Sequence, residues 1–101
     1  MKTVETQDLI DALRARMKEI KHESNYRKNG CKGELSTQQT DDCCALFSSA
    51  GRLKDSYTVR VSLSWLTGSG LGDVYERARH GDHGAQEVVD VITRVFKGAS
   101  K

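Results

Sequence analysis

Few side chains in this 101-residue chain have both the type and the spacing to do chemistry. His80 and His83 stand three apart, and Cys31, Cys43 and Cys44 could join them around a zinc ion. Strong zinc signatures use two close pairs, so that each half presents converging ligands. Here Cys31 is isolated, Cys43 and Cys44 are adjacent and diverge on a helix, and the histidines flank the helix-breaking Gly81. The spacing favours a core-facing Cys43, solvent-exposed histidines and no metal. Nucleophilic catalysis needs a Ser or Cys beside a base that a third group orients. Cys44 and His80 could meet in space, yet no spacing singles out such a set. Gly68-Ser69-Gly70-Leu71-Gly72 lacks the lysine of a phosphate-cradling loop, and no G-x-G-x-x-G is present. Its glycines suit a tight strand-to-helix turn. The expectation is a protein that is not an enzyme and takes no cofactor.

Charge offers a different kind of site. The net charge is only +2, but Arg14, Arg16, Lys18, Lys21, Arg27, Lys28 and Lys32 crowd one stretch, with Tyr26 among them. The candidate partner-binding residues are Arg14, Lys18 and Lys21 on a helix, with Arg27, Lys28 and Lys32 in the loop after it. A basic face of this kind docks on phosphates or on an acidic protein patch. Glu19 and Glu23 interrupt it, so an ordinary solvated helix face is the competing reading. A second candidate surface lies on 73–90 around Arg77, Arg79 and Glu87.

The elements that must position these groups follow from periodicity. Leu9, Leu13, Arg16 and Ile20 fall at helical spacing, which predicts a helix over 6–23 with Thr6 as N-cap. Asn29-Gly30 favours a type I′ hairpin turn within 23–35. Ser36 to Ala50 reads as a second helix with a stripe of Cys43, Leu46, Phe47 and Ala50, stopped by Gly51. Tyr57, Val59, Val61, Leu63 and Trp65 alternate with polar residues, which predicts a strand over 57–66. A helix there would be apolar on both sides. Two helices close the chain. One covers about 71–80 and ends at Gly81. The other runs from Asp82 to Lys97 with Val88, Val91, Ile92, Val95 and Phe96 on one face and Gly98 as its stop. The fold class is α+β, a mainly helical single domain over 1–101 with a small antiparallel sheet; all-α is the alternative. Trp65, Leu63, Ile92, Val95 and Phe96 are expected to be buried together.

No apolar run approaches the 18–20 residues, about, that cross a membrane. The acidic residues near the N-terminus do not suit a signal peptide, so a cytoplasmic address is expected, with all three cysteines reduced.

Two short stretches resemble known families. Leu66-Thr67-Gly68-Ser69-Gly70-Leu71-Gly72-Asp73-Val74 looks like the turn-into-helix segment of small phage-encoded anti-CRISPR proteins that act on type I-F surveillance complexes. That resemblance implies an inhibitor that occupies a partner's surface without a cofactor. Val61-Ser62-Leu63-Ser64-Trp65-Leu66-Thr67-Gly68 is similar to the ending of the DNA-binding domain in phage helix-turn-helix repressors, where the piece is helical. Both point to a small regulator from a phage or another mobile element. The leading expectation is an inhibitor of a larger nucleic-acid-targeting machine, its partner a protein complex of a bacterial defence system. The runner-up is a DNA-binding transcriptional repressor. Either is compatible with a homodimer.

Overall fold

Leu9, Leu13 and Ile20 recur on one side of the first helix and are buried, with Ile10 at the edge of the same stripe. In the computed structural model, which describes residues 2–27 and 37–99, this helix (α1) spans Thr6–Arg27. Ahead of it lies a three-residue strand, β1, Thr3–Glu5. Thr6 does not cap α1 with its side chain. Its N–H donates to the Val59 carbonyl at 2.9 Å, and its buried Oγ1 has no hydrogen-bond partner among the described residues.

The second helix, α2, spans Thr37–Asp55 and runs straight through Gly51. The reason is Leu53, which continues the buried series Cys43, Leu46, Ala50 and would be lost to the core if the helix stopped earlier. The left-handed residue at the helix end is instead Tyr57, with φ 55°, just after the Tyr57 N–H bonds back to the Lys54 carbonyl. Phe47 lies beyond the edge of the buried series and is 66% exposed, against the expected core position.

The predicted strand over 57–66 is real only at its centre. Strand β2 covers Arg60–Ser62 and pairs antiparallel with β1, Val4 opposite Val61, so the sheet partner comes from the N-terminus. The hairpin expected at Asn29-Gly30 lies outside the described residues. Alternation ends at Ser62 because its hydroxyl accepts the Trp65 N–H at 3.1 Å, an N-cap bond that starts the short helix α3, Leu63–Trp65. A π-helical turn over Leu66–Gly70 follows, closed by Leu71 N–H to Leu66 O at 2.8 Å. Leu63 consequently faces solvent, and Trp65 only packs against the core from its rim.

Helices α4, Gly72–Arg79, and α5, His83–Ala99, complete the fold close to expectation, although α5 passes through Gly98. Asp82 caps α5, its carboxylate accepting the Ala85 N–H at 3.1 Å. Helices α1, α2 and α5 pack mutually, α4 lies on α5, and β1 touches α1 and α5. The core between them holds Leu9, Leu13, Leu46, Leu53, Val88 and Ile92, with Leu66, Leu71 and Val74 sealing the α4 end. The protein is thus a mainly helical α+β domain with a small two-stranded antiparallel sheet. Among the described residues no helix is long and apolar enough to cross a membrane.

Candidate functional site

Helices α1 and α2 run antiparallel. At one end Gln7 and Ile10 line a hollow with Leu53 and Lys54. At the other, Lys21 is close enough for its charge to act on the Cys43 thiol, which burial pushes up. Arg14, Lys18 and Lys21, spaced i, i+4 and i+7, share one side of α1 and are all exposed. Among the described residues none of the three enters an ion pair. The antiparallel register brings the middle of α2, where the exposed Phe47 stands, level with Arg14 and Lys18. Along this helix pair, cations without an ion-pair partner among the described residues and an exposed aromatic ring thus stand at similar heights.

Three of the six basic residues are on that face. The Arg27 backbone closes α1, whereas Lys28 and Lys32 lie outside the described residues. The alternative surface around Arg77, Arg79 and Glu87 keeps its two arginines but not its carboxylate. Arg77 and Arg79 are exposed, but Glu87 is turned inward and its side chain is only 14% exposed.

Glu87 instead belongs to a polar junction among α1, α2 and α5. Arg16 grips it with both prongs, Nε to Oε1 at 2.9 Å and Nη2 to Oε2 at 3.0 Å, a bidentate pair. That hydrogen bonding holds the Glu87 carboxyl below the usual carboxylate range, against the opposing effect of burial. One turn earlier, His83 Nδ1 lies 2.9 and 3.0 Å from the two oxygens of the buried Asp42. The hydrogen bond to Asp42 raises the His83 pKa above its ordinary value. The close approach of α2 and α5 depends on Gly84. A Cβ there would stand 3.1 Å from both the Ala45 Cβ and the Asp41 carbonyl oxygen.

Asp42, His83 and Glu87 each bring one potential ligand atom within 4.8 Å of the others, the group among the described residues with the donors for a metal ion. Neither Cys43, Cys44 nor His80 belongs to it. His80 bonds Glu76 at 3.1 Å on its own helix. No described Ser, Thr or Cys hydrogen-bonds His83, so the Asp42–His83 pair lacks the nucleophile of a hydrolytic triad.

Sequence reasoning missed this junction, although two signals pointed to it. Arg16 occupies an apolar stripe, where a guanidinium needs a counter-charge. Gly84, in the first turn of a helix, marks a close crossing. No protein-family model, curated protein or solved structure matches the chain.

Proposed function

We propose that the protein is a small non-enzymatic regulator of phage or mobile-element origin that inhibits a larger nucleic-acid-targeting machine by occupying one of its protein surfaces. The observation that carries this reading is the α1–α2 face, where Arg14, Lys18 and Lys21 are exposed and unpaired among the described residues, level with an exposed Phe47. Exposed large apolar side chains next to one-signed charge are the composition of a docking surface, in which the ring supplies the anchor and the charges steer and orient. The fitting partner is an acidic protein patch, and the local likeness to anti-CRISPR proteins of type I-F systems names the machine to try first.

A helix-turn-helix repressor is the second reading. One observation favours it: Val61–Gly68 is helical from Leu63 with a Ser62 cap, as in the repressor ending it resembles. Against it, α3 has only three residues before the π-helical turn, too short to lay several side chains along a major groove.

The test uses a purified type I-F surveillance complex and a duplex DNA control. The native protein is expected to block target binding by the complex at near-stoichiometric ratio and to leave naked duplex unbound. Reversing Arg14, Lys18 and Lys21 to Glu should keep the fold and weaken inhibition about 10- to 100-fold, at roughly 0.5–1 kcal/mol per partner contact. Salt-sensitive, sequence-specific binding to duplex DNA would instead establish the repressor. Failure of the triple variant to change either activity would remove the α1–α2 face as the interface.

A further inference from the structure

We propose that Asp42, His83 and Glu87 form a zinc-binding clasp that locks α2 to α5. Three features converge on this site. His83 and Glu87 stand at i and i+4 on the first turns of α5, the spacing that puts two ligands on one helix face. Asp42 enters from α2, so the donor set joins two helices through residues 41 positions apart in the chain. The third is prior order. Asp42 is buried, Arg16 holds the Glu87 carboxylate through both of its oxygens, and Gly84 lets the two backbones meet. Outer hydrogen bonds of this kind orient metal-binding carboxylates.

The chemistry of the donors selects the metal. Magnesium and calcium favour all-oxygen shells of six or more ligands, whereas one imidazole with two carboxylates suits zinc. A water completes the tetrahedron on the open side, where the His83 side chain is 54% exposed. The three donor atoms lie within 4.8 Å of one another, and a tetrahedral zinc with bonds near 2.0–2.1 Å needs them about 3.3 Å apart. On binding, the Nδ1 proton that faces Asp42 leaves that nitrogen, to solvent from a charged ring or to Nε2 from a neutral one, and a zinc–nitrogen bond forms. The cation then stands between Asp42 and Glu87 where the proton alone stood beside Asp42. Arg16 keeps its bond to Glu87, so α1 is held by the same junction.

The experiment is calorimetric titration of chelator-stripped full-length protein with zinc chloride near neutral pH, in two buffers of different ionisation enthalpy. Binding of one zinc per chain is expected, with release of up to about one proton and a rise in Tm at saturation. Glu87→Gln and His83→Gln should each weaken binding by more than the roughly 10- to 100-fold typical of losing an outer partner. Both variants are first compared with the native chain by circular dichroism and Tm in chelator. His83→Gln is the safeguard, because it changes an exposed helix start even if Glu87→Gln unfolds the protein. Replacing all three cysteines with serine should leave zinc binding intact. Absence of saturable binding overturns the proposal, as does binding that survives His83→Gln, binding lost only in the cysteine variant, or magnesium bound as tightly as zinc.

Discussion

Two glycines of one short string should respond in opposite directions to the same substitution. An added Cβ at Gly70 would fall 2.5, 2.8 and 2.9 Å from three ring carbons of Trp65, whereas one at Gly68 meets nothing within 4 Å. Carbon atoms rest about 3.5–4.0 Å apart, so Gly70→Ala must push the indole by about 1 Å. The ring is rigid and leans on the core, and overpacking of this kind costs about 1–3 kcal/mol. Alanine at either position narrows the unfolded ensemble, which contributes about 0.4–1 kcal/mol of stability. The net expectation is a loss of about 1–2 kcal/mol for Gly70→Ala and a gain of up to about 1 kcal/mol for Gly68→Ala. At about 4–8 °C per kcal/mol for a domain of this size, the two variants should melt at least about 4 °C apart. Trp65 is the sole tryptophan, so urea unfolding followed by its fluorescence reports stability and ring position together. Gly70→Ala should also shift the native emission maximum. A Gly70→Ala protein with native stability and unchanged emission would refute the ring-on-glycine packing.

Phe96→Ala should cost about 3–5 kcal/mol in chemical denaturation, because the ring is 8% exposed, while Leu63→Ala, at 44% exposure, should stay within about 1 kcal/mol. Arg52 bonds the Asp73 carboxylate at 2.8 Å and the Gly70 carbonyl at 2.7 Å, and the hydrogen bond to Asp73 holds that carboxyl below its ordinary range. The stabilisation is therefore present above the unfolded carboxyl pKa and lost as pH falls through the folded one. Since Asp73 is 59% exposed, it should amount to less than about 1 kcal/mol, and the gap between native protein and Asp73→Asn should close in acid and in molar salt. Native-state alkylation followed by peptide mass spectrometry should modify the exposed Cys44 well before Cys43, which is buried and whose thiol burial pushes up.

Local pattern was enough for much of this protein. The stripes of α1, α4 and α5 each carry one dominant apolar face, so periodicity alone located the helices and most of the core. The basic row Arg14, Lys18, Lys21 was legible for the same reason, being the remainder once that face is assigned. Where two local signals competed, only tertiary contacts decided. Gly51 and Leu53 gave opposite instructions to α2, and burial of Leu53 won. The alternation of 57–66 and the capping potential of Ser62 conflicted, and the strand stopped where pairing with Thr3–Glu5 ran out. The junction of Arg16, Asp42, His83 and Glu87 leaves only indirect local signs, Arg16 within an apolar stripe and Gly84 in a first helical turn, and neither names a partner. Its members come from three helices, and charges so far apart in sequence meet only when α1, α2 and α5 close on one core. Sequence by itself determined which faces are apolar and which are charged; packing determined which charges face solvent and which face each other.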